Sequence, residues 1–341
     1  MNGDIKLATL SDTDTTNVTG SELVTNGTFA SNTNGWTVAG SGASAAVSSG
    51  QLVLTRAGST SNITQNITTV VGQAYTLSFD FTANSGGANM YATLSGLSTI
   101  TATATTGSYS ITAVATSTST YVQFQIWNAT NGTITLDNVS VRLAEEDRSL
   151  NGNGIQVLGT ITKTAVATGA ELVGYSGFNS SNYLRQPYNS DLDFGTGDFS
   201  YSFWHSCSFN TPDRIWMSHG QYNTDGSGLS ILQHNSSGPG DRIWIYVGSS
   251  SNSGSGYISV DNVEELGFQQ WVVTRRSGVL YVYRNGKLEG SVADTTNVDL
   301  SSKTINELYL GVGREASAPF YYGAGPLALF RVSATAPTAE Q

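Results

Sequence analysis

The chain has 341 residues, of which 15 are Lys or Arg and 25 Asp or Glu, for a formal net charge of −10. Charged residues are only 12% of it, and Gly, Ser, Thr and Asn supply most of its polarity. Four basic and nine acidic residues precede position 150, and eleven and sixteen follow it. Neither half therefore offers the clustered Lys and Arg that phosphates or anionic lipid require, which excludes nucleic-acid binding. No apolar run reaches about 18 residues, so no transmembrane helix is expected. The length suggests two domains, and regularly placed Trp, Tyr, Phe, Ile and Val argue against disorder.

Residues 1–20 are polar and rich in Asp and Thr. They lack the basic and apolar regions of a secretory signal and are read as an N-terminal arm or linker. Residues 21–143 read as a first domain. Period-2 strands are expected at Gln51–Arg56, Ile63–Ile67, Tyr75–Ala83, Asn89–Leu94, Tyr109–Ala115 and Tyr121–Trp127. Alternation at about ten-residue spacing predicts a β-sandwich with one wet and one buried face per sheet. Glu145-Glu146-Asp147-Arg148 and Asn151-Gly152-Asn153-Gly154 break the pattern, and a linker is placed at 144–154.

The second domain is expected at 155–341, with about a dozen short strands. Its centre is Trp271–Val292, read as three strands: Trp271–Arg275, Val279–Tyr283 and Leu288–Val292. Asn285-Gly286 supplies the two positive-φ residues of a type I′ hairpin turn. Trp244, Tyr246, Tyr281, Tyr283 and Tyr309 alternate with aliphatics, which suggests strands covered on both faces. Cys207 is the sole cysteine; no intrachain disulfide can form, and it is read as buried packing. Ala334–Gln341 reads as a helix start, with Thr335 as N-cap and Pro337 in the first turn. Two expectations follow: the natural polypeptide continues past Gln341, or an ordered segment ends here.

Two resemblances rest on these residues. Asn26-Gly27-Thr28-Phe29, Asn34-Gly35-Trp36 and the closing Thr133–Leu143 resemble carbohydrate-binding modules of the family 4/9 type. Asp198–Trp204, Trp271–Val292 and Leu308–Val332 resemble the concanavalin A-like, laminin G-like jelly roll, over roughly residues 150–335. The expected fold class is all-β, two tandem β-sandwich domains.

Saccharide binding needs an aromatic ring to stack on a sugar, with amides, carboxylates or Arg for its hydroxyls. In Gln123–Asn128, Phe124 and Ile126 point to the core, and Gln123, Gln125 and Trp127 point outward. Asp80 points away from the core in Leu77–Phe81. If these strands are neighbours, Trp127, Gln125, Gln123 and Asp80 form one carbohydrate-binding face, where the family 4/9 modules bind glycans. The competing reading makes Trp127 a sheet-edge or oligomer contact. Trp36 is assigned to the core. The family resemblance also implies a structural Ca²⁺ near the closing Asp, at Asp137, although Ala30 replaces the Glu expected after Phe29. Asp213, Asp225 and Asp241 are further calcium candidates by residue type, and each is also an ordinary turn former.

Catalysis finds no constellation. Glycoside hydrolysis needs two carboxylates about 5–9 Å apart. Glu264 and Glu265 are adjacent and would point opposite ways on a strand. Asp191 and Asp193 sit in a loop-like stretch. His205, His219 and His234 are scattered, and no Gly-x-Ser-x-Gly elbow occurs.

Tandem sandwiches of this composition resemble bacteriophage virion proteins. The expectation is a non-enzymatic fibre or capsid decoration protein on the virion surface. Its expected partners are host-surface glycans, other virion proteins and copies of itself, with a trimer favoured. The alternatives are a purely structural spacer and a secreted bacterial carbohydrate-binding protein.

Overall fold

The computed structural model describes residues 15, 17–58, 61–94, 98–127, 131–145, 154–167, 172–207, 213–221, 228–234, 242–248, 256–261, 263, 267–314 and 319–337. The regular structure among the described residues is all β-strand, apart from one short 3-10 turn at Ser190–Leu192. The chain divides into two compact units. One is Gly20–Val157; the other is Leu158–Gln341 together with Met1–Thr19. No helix among the described residues is long and apolar enough to cross a membrane.

Strand β1 is Val18–Gly20, at the boundary between the units. The Gly20–Val157 unit holds two antiparallel sheets. One sheet runs β3 (Ser44–Ser48), β4 (Gln51–Ala57), β11 (Asn131–Glu145), β6 (Ala74–Ser85), β9 (Gly107–Val114). The other runs β2 (Thr37–Ala39), β5 (Ser61–Thr68), β10 (Ser119–Trp127), β7 (Asn89–Leu94), β8 (Ser98–Thr103). Their inward side chains form one core: Phe29, Leu52, Leu54, Ile63, Leu77, Phe79, Phe81, Met90, Val122, Phe124 and Ile126 are all at most 2% exposed. Trp36 is in this core as expected, with its ring 5.6 Å from Phe29 and 6.1 Å from Phe124. Gly27 marks a close approach, since a Cβ there would lie 1.9 Å from the Val139 carbonyl oxygen.

Strand β12 is Ile155–Ala165. The linker expectation needs one correction. Strand β11 runs on to Glu145, and Ala144 and Glu145 pair with Gln156 and Ile155. Strands β2, β3 and β8 have no clear signal in the sequence. Their Ser, Thr and Ala carry little apolar contrast, and cross-strand pairing defines them instead.

The larger unit is also built from two antiparallel sheets. One runs β12, β13 (Val173–Ser176), β26 (Leu327–Ser333), β15 (Phe199–Ser206), β20 (Phe268–Arg276), β21 (Val279–Arg284), β22 (Lys287–Ala293). The other runs β14 (Tyr183–Gln186), β23 (Leu308–Leu310), β16 (Arg214–His219), β17 (Gly228–His234), β18 (Arg242–Gly248), β19 (Tyr257–Val260). A small hairpin pairs β24 (Gly313–Arg314) with β25 (Pro319–Phe320). The hairpin at Asn285-Gly286 forms as expected, with φ of 50° and 77°. Tyr246 and Tyr309 are buried, whereas Tyr281 and Tyr283 are only half-buried. Cys207 is buried and free. Ala334–Pro337 form no helical turn, and residues 338–341 lie outside the described residues. Thr335 instead accepts a hydrogen bond at its carbonyl from Ser200 Oγ.

A buried ion pair locks the central strand of this unit. Arg275 and Asp294 are both fully buried and lie 3.0 Å apart. The guanidinium also donates to the carbonyls of Gly197 (2.8 Å), Thr296 (2.7 Å) and Gly195 (2.7 Å) and covers the Phe199 ring at 4.7 Å. Asp294 Oδ1 accepts from the Thr296 hydroxyl and amide. Each of the three guanidinium nitrogens thus meets an acceptor, the condition under which such a pair is tolerated. Replacing Arg275 with Met should destabilise the unit by about 3–5 kcal/mol, because Asp294 would be left buried without its cation. Denaturant unfolding checks this.

Two imidazoles are also buried. Burial lowers His219 from 6.5 to about 4. Burial likewise lowers His205 from 6.5 to about 3, opposed by a hydrogen bond to the Ala324 backbone. His219 Nδ1 shares a 2.8 Å hydrogen bond with the Tyr201 hydroxyl. Both folded values lie below the unfolded one, so the unfolded chain takes up protons first. Their contribution is complete above pH 6.5 and is lost as pH falls toward the folded values. Unfolding free energy should therefore fall below pH 6.5 by roughly 1.4 kcal/mol per pH unit per histidine. The double variant His205→Gln/His219→Gln should show a flatter profile between pH 6.5 and 4.5 than the parent.

Candidate functional site on the five-stranded sheet

Strand β10 decides the site. Its residues alternate strictly, with Val122, Phe124 and Ile126 fully buried and Tyr121, Gln123 and Gln125 half-buried. Trp127 ends the strand at 47% exposure. A sheet residue shares its face with its directly opposed partners. The register therefore places Gln125 between Asn62 on β5 and Tyr91 on β7. Gln123 lies between Thr64 and Thr93, Tyr121 lies opposite Asn66, and Trp127 lies opposite Asn89. The Tyr91 and Trp127 rings are 6.1 Å apart and tilted by 31°. Gln123 Nε2 donates to Thr64 Oγ1 at 3.4 Å. Arg56 Nη1 donates to the Ile126 carbonyl at 3.1 Å, which ties down the end of the strand that carries Trp127.

The outcome is a face with two aromatic rings at one end and a field of amides and hydroxyls beside them. The described residues of this face carry no carboxylate. Sugar hydroxyls both donate and accept, and side-chain amides offer both functions without a charge to desolvate. The rings supply apolar area for a pyranose face.

Asp80 does not belong to this face. It sits on β6 in the opposite sheet, paired with Asp137 on β11 and Ser108 on β9. Its Oδ1 accepts from Ser108 Oγ at 2.6 Å and its Oδ2 from Asn138 Nδ2 at 2.7 Å. The sequence shows which way Asp80 points but not which sheet holds β6. Tyr91 and Asn62, which the sequence pattern does not assign to a site, take the places beside Trp127. Both lie in alternating strands, and only the register shows them to be neighbours.

The calcium implied by the family resemblance does not fit the residues near Asp137. Asp137 Oδ1 accepts its neighbour's amide, Asn138 N–H, at 2.8 Å. Glu22 is committed to the amides of Leu23, Val24 and Val141, to Ser140 Oγ and to Arg142 at 3.3 Å. No group of three or more His, Cys, Asp or Glu that could hold a metal occurs among the described residues. Asp213 lies against His234, and Asp225 and Asp241 are outside the described residues. Of the carboxylates weighed for catalysis, Asp193 accepts from the Tyr188 hydroxyl and the Leu300 amide. Asp191 is exposed, and Glu264 and Glu265 lie outside the described residues.

Residues 178–341 match a family model, Laminin_G_3, described as the concanavalin A-like lectin/glucanases superfamily. No curated protein matches the chain. Among solved structures, the chain is similar to a carbohydrate-binding module of a Ruminococcus gnavus sialidase, at 10% identity and TM-score 0.35 over 43% of this chain and 81% of that one. Domain 4 of an arabinanase from Geobacillus stearothermophilus is 18% identical, with TM-score 0.40, over 57% and 89% of the two chains. The enzymatically active domain of tailspike protein 2 of bacteriophage CBA120 is 15% identical, with TM-score 0.39, over 54% and 29%.

Two measurements check the geometry. Trp127→Ala should leave the unfolding free energy within about 1 kcal/mol of the parent, whereas Phe124→Ala, three positions earlier and fully buried, should cost about 3–5 kcal/mol. EDTA should leave the melting temperature of the full chain unchanged, because Asp137 and Glu22 are committed to donors within the protein.

Proposed function

We propose that the protein is a non-enzymatic saccharide-binding protein whose Gly20–Val157 unit holds glycan on the face of Trp127, Tyr91, Gln125, Gln123 and Asn62. The observation that carries the reading is the exposure of Trp127 and its pairing with Tyr91 above a row of amides. A large aromatic left half-exposed and flanked by hydrogen-bonding groups fits a ligand platform. The all-β fold, the Ser/Thr/Gly/Asn composition and the lectin-type family match in the larger unit support an extracellular, adhesive role. Within that role we place the chain as a bacteriophage virion surface protein, either fibre or decoration, directed at host-envelope glycans.

One feature favours a structural contribution alongside binding. Val70, Val71 and Val114 are 60%, 57% and 44% exposed in the same unit. The turn carrying the first two is hydrogen-bonded to Ala115, next to the third. Clustered aliphatics of this kind suit a subunit contact, and we propose that the protein works as a homo-oligomer through it.

The test is a glycan array probed with the full-length chain. Trp127→Ala should reduce the apparent affinity for the bound glycans at least about tenfold, in line with the loss of a stacking anchor. Gln125→Ala should reduce it less. Unaltered binding by Trp127→Ala would overturn the site assignment.

A further inference from the structure

The larger unit carries a second cluster, on the outer face of β17, β18 and β19. Ile231, Ile243, Ile245, Val247 and Ile258 fill the inner face. The outer face carries Leu232 and His234 on β17, Arg242, Trp244 and Tyr246 on β18, and Tyr257 and Ser259 on β19. The register sets His234 opposite Arg242, Trp244 opposite Ser259 and Tyr246 opposite Tyr257. Ile215, Leu232, Tyr246 and Phe320 pack into an apolar cluster at one end. The other end is polar.

There the His234 ring lies flat on Trp244, with centroids 3.8 Å apart and planes 16° apart. Tyr257 meets Tyr246 at 5.2 Å and Trp244 at 6.4 Å. Two carboxylates flank the rings. Asp213 Oδ1 lies 2.7 Å from His234 Nδ1, and Asp261 Oδ1 lies 3.2 Å from Arg242 Nε. Neither contact is aligned as a hydrogen bond. His234 and Arg242 are nonetheless ion-paired at these distances, whereas Trp244 Nε1 is a buried atom that lacks a hydrogen-bond partner. Buried polar groups without partners are uncommon, and this one calls for an explanation. Asp261 and Arg242 keep 53% and 37% of their side-chain surface exposed.

We propose that this cluster is a second saccharide site, which takes a neutral sugar unit with neighbouring hydroxyls. Charge decides the ligand class. An anion would meet Asp213 and Asp261, and a cation would meet Arg242. A hydroxyl donates to a carboxylate and accepts from a guanidinium, imidazole or indole N–H, so it can use both kinds of group. Tyr257 and the His234–Trp244 pair supply the apolar surface. The chain then carries one saccharide face per unit. On a dense glycan surface, engaging both raises apparent affinity beyond either alone.

The experiment uses the full-length chain on an array printed with neutral gluco-, galacto-, manno- and xylo-oligosaccharides and with uronic and sialic acid glycans. Three variants are compared with the parent: Trp127→Ala/Tyr91→Ala, Arg242→Gln/Asp261→Asn, and all four changes together. Arg242 and Asp261 are chosen because their substitution leaves the packed rings in place, and melting temperatures confirm folding. The first variant should keep binding to neutral glycans at least about tenfold more weakly than the parent on dense spots. The four-fold variant should lose that residual signal.

If Trp127→Ala/Tyr91→Ala alone abolishes all binding, the second site is wrong and the first face stands. If it binds like the parent while Arg242→Gln/Asp261→Asn is silent, the first face is wrong and the second stands. Residual binding confined to acidic glycans overturns the neutral ligand class. A silent parent overturns both sites.

Discussion

The two-residue repeat of β10 is the constraint on which the functional surface depends. Phe124 and Ile126 are committed to the core, and that commitment forces Gln123, Gln125 and Trp127 outward. A one-residue slip would bury three polar or bulky groups and expose three apolar ones, so the register is strongly fixed. The burial that stabilises the sandwich is therefore also what presents the amides and the indole. Partners on both sides extend the arrangement from a line into a surface, because Asn62 and Tyr91 are held opposite Gln125 by the same ladder.

The larger unit solves a different problem. One of its sheets carries an arginine with no access to water, and the loops around it meet each guanidinium nitrogen. Residues 194–198, the turn at Ser277-Gly278 and residues 294–298 are drawn to Arg275 and Asp294 by carbonyls and amides. Such a pair contributes little net stability, yet removing one member is costly. The ion pair joins the loop that precedes β15 to the loop that follows β22.

Much of the fold was legible because alternation is a local signal. The hairpin at Asn285-Gly286, the core role of Trp36, the burial of Cys207 and the outward pointing of Trp127 all follow from near neighbours in sequence. What escaped was non-local. Asp80 points outward as its strand predicts, but it does so from the other sheet, and strand order in a sandwich is set by pairings across dozens of residues. Tyr91 became a site residue only through the register of β7 against β10. The same holds for the β17–β19 face, where Trp244 read simply as an aromatic in an alternating strand. Its grouping with His234, Asp213 and Asp261 depends on three strands and a loop. The calcium expectation came from resemblance at a single aspartate, whose neighbours proved to be satisfied by amides, hydroxyls and an arginine.

The most direct test observes the rings themselves. The chain has six tryptophans, so indole-labelled protein gives a small set of side-chain resonances. A neutral oligosaccharide that binds on the array would be titrated into the full-length chain while the indole signals are followed. The account predicts that the Trp127 signal shifts, with Trp244 responding at the second face. The buried Trp36, Trp216 and Trp271 should stay in place. A binding oligosaccharide that leaves Trp127 unmoved would contradict the central claim.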